Sequence, residues 1–272
     1  MAKAEKVVIL ARGVGSRMRK ADGDAQMSEE QAKMADTGVK AMIPIGRPFL
    51  DYVLSACADA GVTRACLVIG PEHDVVRDYY TREIKLGRVK VSFAVQEKPL
   101  GTANAVAAAE EFAGGEPFLM LNSDNYYPVV AIKALRDLDS CGAAGFERDA
   151  MLRGSNIPGD RIEKFAIVDV NEGGMLKRVI EKPDREAMAS VRPPICVSMN
   201  CWRFDGSIFE ACRAIQPSVR GEYEVTDAVQ YCVDRLGVPF KVVRVAAPVL
   251  DMSSRGDIAA VGERLKGTEV TL

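Results

Sequence analysis

The sequence has a single histidine, His73, among 272 residues. A metal site built from several histidines is thereby excluded, and a Ser-His-Asp or Cys-His hydrolase would rest on that one side chain. His73 lies in GPEHD, directly after an apolar run, a setting that predicts the start of a surface helix. No apolar stretch approaches the roughly 18 residues that a membrane span requires, and MAKAEK leads straight into a strand-like run. The expected setting is the cytoplasm, with no membrane partner. The seven cysteines include no C-x-x-C pair, and most stand in apolar runs such as RACLVIG, where cysteine behaves as a small hydrophobe. They are expected in the core. Charge of one sign is also lacking: 36 basic against 38 acidic residues leave a formal net charge of −2. That offers no general attraction to nucleic acid or anionic lipid. Any anion must be held by a local cluster of cations, which suits a small ligand better than a polymer.

What is present is ordinary globular composition, 48% hydrophobic and 27% charged, long enough for one large domain or two small ones. The runs KVVIL, RACLVIG, VKVSFAV and PFLML read as strands, separated by the helical stretches PFLDYVLSACADAG, HDVVRDYYTREI and TANAVAAAEEF. In the first of these Leu50, Val53, Leu54 and Cys57 recur at helical spacing, and Gly61 supplies the stop. The alternation predicts an α/β fold whose mostly parallel, mixed sheet is sandwiched by helices. Beyond about residue 145 the pattern changes: IEKFAIVDV and MLKRVIEKP flank NEGG and read as a hairpin. ICVSMNCWRF and PFKVVRVA read as strands, GSIFEACRAI and YEVTDAVQYCVDRL as amphipathic helices, with a last helix near Arg255 to Leu265. This second half is expected to extend the sheet and add a lid-like portion. There is no internal repeat, low-complexity tract or linker. Residues 18–39, polar and rich in Ala, Asp, Glu and Lys, are predicted to form a long loop with a short helix, of the kind that often serves as a lid.

In VVILARGVGSR a glycine loop succeeds a buried strand, which lets the backbone turn its N–H groups toward a phosphate. Gly13, Gly15 and Ser16 are the candidate contacts. The loop lacks the third glycine of a dinucleotide-binding fingerprint, and RACLVIG ends on Gly70 with no acidic residue. By itself it fits an ordinary strand-to-helix turn equally well. Six segments downstream of the loop are more specific. TGVKAMIPIGRPFLDYVL, QEKPLGTANA, PFLMLNSDN, RVIEKPD, GEYEVTDAV and VLDMSSRGDI resemble, in order and spacing, the signature segments of the sugar-1-phosphate nucleotidylyltransferases of the glucose-1-phosphate uridylyl- and thymidylyltransferase type. The resemblance runs from about Lys6 to Asp257.

It implies a Rossmann-like, GT-A-like nucleotidyltransferase fold. A single domain, 1–272, would comprise a nucleotide-binding half to about residue 145 and a sugar-binding half from about 146. The C-terminal β-helix of the family's longer members is expected to be absent. The implied partners are a nucleoside triphosphate and a sugar 1-phosphate, joined with release of pyrophosphate in the presence of Mg2+; a homo-oligomer is left open. A sugar phosphate is already ionised near neutral pH, so the reaction needs positioning and charge neutralisation rather than a histidine base. By the resemblance Asp124 and Asp251 hold the metal, and each stands just after an apolar strand. Arg17 and Lys40 act on the polyphosphate and Lys182 on the sugar phosphate. Gln96, Gly101 and Thr102 lie in the base-reading segment, where an amide favours a pyrimidine, UTP or dTTP, without excluding others. Asn125 and Glu181 correspond to contacts with sugar hydroxyls.

Departures from the family accompany these matches. Arg12 replaces a small residue, and is expected to point away or to add a cation for the triphosphate or for an acidic neighbour within 18–39. Val39 replaces the proline before Lys40. Phe165-Ala166 stands for Tyr-Gly, and Ser198-Met199-Asn200-Cys201-Trp202 for Asn-Ala-Gly-Ile-Tyr. A pocket shaped for a sugar other than glucose is expected, with Asn200 as a candidate contact. Two alternatives stand beside the transferase: a noncatalytic homologue that binds nucleotide or NDP-sugar and regulates a partner, and a cytidylyltransferase acting on a related phosphorylated alcohol.

Overall fold

Val7, Val8 and Ile9 are all fully buried, because the strand that carries them is covered on both faces. The structure, a computed structural model, describes residues 2–272. Its strands are β1 (Lys6–Leu10), β2 (Arg64–Ile69), β3 (Lys90–Val95), β4 (Phe118–Asn122), β5 (Asn125–Tyr126), β6 (Cys141–Glu147), β7 (Ile167–Val170), β8 (Leu176–Ile180), β9 (Cys196–Phe204), β10 (Phe240–Val245) and β11 (Leu250–Asp251). The main sheet runs β10-β6-β9-β4-β1-β2-β3, with the β7–β8 hairpin attached beside β9. β1 pairs in parallel with β2 and β4, β2 with β3, and β6 with β10; β9 lies antiparallel to both β4 and β6. The expected α/β class and mostly parallel, mixed sheet are found.

Alternation along the central strands divides the core. Val7 and Ile9, with Leu67, Ile69, Leu119 and Leu121, pack on the face that also receives the helix Phe49–Asp59. Val8, Cys66, Val68, Phe118 and Met120 pack on the other, against Thr102–Ala107, Ser207–Ala214 and Val225–Asp234. A strand with no solvated face cannot slip by one residue without exchanging both sets, so the register is pinned by packing. All seven cysteines are free and buried, as the apolar runs predicted.

The sequence misleads in several places. β6 and the helix Val129–Arg136 have no clear signal in it; the change of pattern near residue 145 falls inside β6, and the second half extends the same sheet as expected. TANAVAAAEEF is two short helices, Thr102–Ala107 and Glu110–Ala113. His73 does begin a helix, Asp74–Asp78, but it is buried: its Nδ1 accepts from the Gly70 amide at 3.4 Å. The hairpin does form, with Gly174 at φ +73° in its turn. Residues 18–39 carry the helix Glu29–Thr37, opened by a reciprocal cap between Ser28 and Gln31.

Candidate active site

β2 and β3 lie on one side of β1 and β4 on the other, so the chain order reverses between β1 and β4. In an open α/β sheet this is where the connections diverge and leave a crevice beyond the carboxyl ends of the strands. A cavity of about 500 Å3 lies there. The loop after β1 supplies Arg12 and Gly13 to its wall, the turn after β4 supplies Ser123 and Asp124, and Gln96, Gly101 and Thr102 close it from the β3 side. Lys40 enters from the short turn Lys40–Met42, and its Nζ meets Asp124 Oδ2 at 2.8 Å.

The loop conformation depends on two glycines packed back to back. Gly15 has φ +59° and Gly38 φ +79°, and a Cβ on either would collide with backbone of the other's segment. The 28–39 segment is thus a floor beneath the glycine loop. Arg255, buried, ties it down further by donating to the Met18 carbonyl at 2.8 Å and pairing with Asp36.

Asp251 reaches the same region from the second half. β11 pairs antiparallel with β5 so that Asp251 faces Asn125, and the Met252 amide donates to the Asp124 carbonyl at 2.8 Å. Asn125 Nδ2 donates to Asp251 Oδ1 at 2.9 Å, Ser253 Oγ donates to the same oxygen at 3.0 Å, and Arg161 pairs with Oδ2. Asn156 holds the backbone on both sides, accepting from Asp251 N and donating to its carbonyl. Two hard carboxylates therefore come together, Asp124 in the turn before β5 and Asp251 on β11, each with a cation beside it. Among the described residues no cluster of three or more His, Cys, Asp or Glu side chains is gathered. That donor set suits a metal completed by ligand phosphates rather than by an all-protein cage.

Ser16, Arg17, Asn125, Glu181, Lys182 and Asn200 do not line this cavity. Arg17 and Ser16 are exposed at the start of the helix Ser16–Arg19, outside the cavity wall. Asn125 is 3% exposed, and its Oδ1 accepts from Asn122 Nδ2 at 3.3 Å, so both ends of its amide are engaged within the protein. Thr102 Oγ1 accepts from the Val225 amide at 2.8 Å, joining the loop after β3 to the helix Val225–Asp234. Glu181 and Lys182 are exposed just beyond β8, with Glu181 accepting from Thr226 at 3.4 Å. Lys182 and Asn200 have positive φ, +44° and +52°. Side chains seldom adopt that conformation, and it explains why glycine suits the position of Asn200 in the resembling family. Asn200 Oδ1 receives the Trp202 indole N–H at 3.3 Å, which leaves its Nδ2 as a donor. Arg12 bends across the end of β2, donating to Glu72 at 3.3 Å and to the Glu97 carbonyl at 3.2 Å. Its acidic neighbour is Glu72, not a residue of 18–39.

Arg161, Asn156, Ser253 and Asn104 belong to this network, and sequence reasoning missed them. Ser253 and Arg255, at least, lie in the family-like segment VLDMSSRGDI. In GEYEVTDAV burial lifts Glu224 and Asp227 above the usual carboxylate range, with Arg220 opposing it.

The sequence matches the family described as nucleotidyl transferase over residues 6–246. It is 28% identical over 228 residues to a low-salt glycan biosynthesis nucleotidyltransferase of Haloferax volcanii, covering 83% of this chain and 56% of that protein. It is 30% identical over 230 residues to a glucose-1-phosphate thymidylyltransferase of Streptomyces griseus, covering 84% and 57%. The chain thus spans a little over half the length of these two relatives. A UTP–glucose-1-phosphate uridylyltransferase of Haloferax volcanii matches at 24% identity over 96% of both chains. Among solved structures, a UDP-glucose pyrophosphorylase complexed with UDP-glucose superposes with a TM-score of 0.74 at 18% identity, covering 99% of this chain and 100% of that one. That likeness concerns the fold.

Proposed function

The chain belongs to the nucleotidyl transferase family, and from that premise we propose that it joins UTP or dTTP to a sugar 1-phosphate with release of pyrophosphate. The observation that carries this reading is the crevice between β1 and β4, where the glycine loop, the Lys40–Asp124 pair and Gln96 meet on one cavity. The names of two relatives, a thymidylyl- and a uridylyltransferase of glucose 1-phosphate, support it.

In this reading an oxygen of the sugar phosphate attacks the α-phosphorus. A new P–O bond forms as the α–β bridging P–O bond breaks, and pyrophosphate leaves with the electron pair. No proton need be removed from the attacking group. Gly13 and Gly15 shape the loop that receives the triphosphate, with Ser16 and Arg17 at the mouth where pyrophosphate departs. Lys40 neutralises charge on the polyphosphate, and Lys182 holds the sugar phosphate. Glu181 and Asn200 face the sugar. Asn125 is assigned to orienting Asp251, since its own amide is engaged there. Asp124 and Asp251 would hold Mg2+, which supplies charge neutralisation when bound. Among the described residues no helix is long and apolar enough to cross a membrane. The free, buried cysteines support a reducing, cytoplasmic setting.

The test is pyrophosphate release from each common nucleoside triphosphate with a panel of sugar 1-phosphates and Mg2+, with Asp124→Ala as control. Release that requires both substrates and disappears in the variant is expected. Nucleotide binding without turnover on any pair would refute the transferase and favour a regulatory homologue.

A further inference from the structure

Gln96 lies one residue beyond β3 on the wall of the cavity, 5% exposed. Both hydrogens of its amide are taken: Nε2 donates to the Gly101 carbonyl at 3.0 Å and to Asn104 Oδ1 at 2.8 Å. The first bond decides which way round the amide lies, because a backbone carbonyl can only accept. A reversed amide would set oxygen against oxygen. Nor is Gly101 free to move. Its φ is +114°, and a Cβ there would stand 2.5 Å from the Tyr223 carbonyl oxygen. Tyr223 N in turn donates to Leu100 and Ala103 N to Tyr223, each at 2.8 Å. What Gln96 keeps for a ligand is therefore Oε1, an acceptor, with no amide hydrogen left over.

We propose that Asn104 is a positioning residue that selects the base. With Gly101 it holds Gln96 so that only an acceptor faces the nucleobase. Uracil and thymine carry an N–H at ring position 3, and guanine one at position 1; these satisfy Oε1. Cytosine and adenine present a bare ring nitrogen at the equivalent place, and two acceptors facing each other in a buried site repel and stay unpaired. The selection thus comes from refusing the wrong base as much as from binding the right one. It rests on the proposed function for the placement of the base against Gln96, and it weakens the cytidylyl alternative.

The test is calorimetric titration of the full chain with Mg2+ and, separately, UTP, CTP and N3-methyl-UTP, for the unmodified protein, Asn104→Leu and Asn104→Asp. The unmodified protein is expected to bind UTP at least about tenfold more tightly than either other nucleotide, as one mismatched polar contact commands. Asn104→Leu removes one of the two acceptors that hold Nε2, so the amide can reverse toward cytosine at the cost of the Gly101 bond alone, and the UTP-to-CTP ratio falls toward unity. Asn104→Asp retains an acceptor for Nε2 and keeps the ratio. Equal affinities for UTP and N3-methyl-UTP in the unmodified protein would overturn the proposal, whatever the variants do. So would an Asn104→Leu protein that loses UTP and CTP by the same factor, as a merely structural residue would. A UTP preference without pyrophosphate release on any sugar phosphate would sink the transferase reading alone. Release with no preference between UTP and CTP would sink base selection alone.

Discussion

Gly15→Ala tests whether the floor beneath the glycine loop matters as its geometry says. Gly15 has φ +59° and ψ +28°; a methyl there would overlap the Gly38 carbonyl oxygen and stand 2.6 Å from Gly38 Cα. The left-handed conformation costs an L side chain about 1–2 kcal/mol. Relieving overlap with backbone, which has no rotamer to change, adds about 1–3 kcal/mol. The expected loss is about 2–5 kcal/mol, with weaker nucleotide binding because either the loop or the 28–39 segment must shift. Gly13→Ala is the control, since a Cβ at Gly13 meets nothing within 4 Å. It is expected to change stability by less than about 0.5 kcal/mol while still weakening nucleotide binding, because Gly13 lines the cavity. In urea, with a slope of about 3 kcal/mol per molar, the midpoint should fall by about 1 M for Gly15→Ala and hardly move for Gly13→Ala. Equal midpoints for the two variants, or a larger fall for Gly13→Ala, would refute the reasoning.

Asp51, fully buried, accepts from Arg47 at 2.8 Å, Tyr79 at 2.9 Å and Tyr80 at 2.8 Å. Asp51→Ala strands those donors and should cost about 3–5 kcal/mol in thermal or chemical denaturation, and a loss below about 1 kcal/mol would show that they find other partners. His73 titrates below the usual histidine range because burial disfavours its charged form. Since the unfolded chain then binds the proton first, its contribution is full above the unfolded pKa of about 6.5 and is lost as pH falls below it. His73→Gln should therefore lose less stability than the unmodified protein between about pH 6.5 and 5, and parallel stability curves would contradict this. Asn125→Leu removes the donor that orients Asp251 and is expected to weaken Mg2+ dependence on the order of tenfold. A magnesium titration of pyrophosphate release that superposes on that of the unmodified protein would dismiss that role.

The fold was legible wherever burial demanded long apolar side chains. KVVIL, RACLVIG and PFLML are β1, β2 and β4, covered on both faces, and their composition says so. β6 hid because its neighbours leave little room. A Cβ on Gly142 would stand 2.8 Å from the Lys241 carbonyl oxygen, and one on Gly145 would stand 3.0–3.1 Å from Cys196, Val168 and Val242. CGAAGFE therefore lacks the long apolar side chains that mark a strand, although it pairs on both sides. HDVVRDYYTREI does form a helix but widens into a π turn over Tyr79–Glu83. That widening accompanies the convergence of two successive tyrosines on Asp51, a residue 28 positions from the first of them. No local pattern encodes such a meeting.

The site divides in the same way. Residues fixed by strand ends and tight turns were readable: Gly13, Lys40, Gln96, Gly101, Thr102 and Asp124 do share one cavity. The contacts that orient them were not readable, because they link distant segments. Arg161 lies 90 positions from Asp251, and Asn156 lies 95 positions from it. Even the short-range bond from Gln96 to Asn104, 8 positions away, requires a left-handed Gly101 that Tyr223 pins from the other half of the chain. Sequence shows which chemical groups arrive at the crevice. Which lone pair or hydrogen each one presents depends on partners that meet only in the fold, so Arg161 and Asn156, both outside the recognisable segments, are where substitutions should disturb Asp251 most strongly.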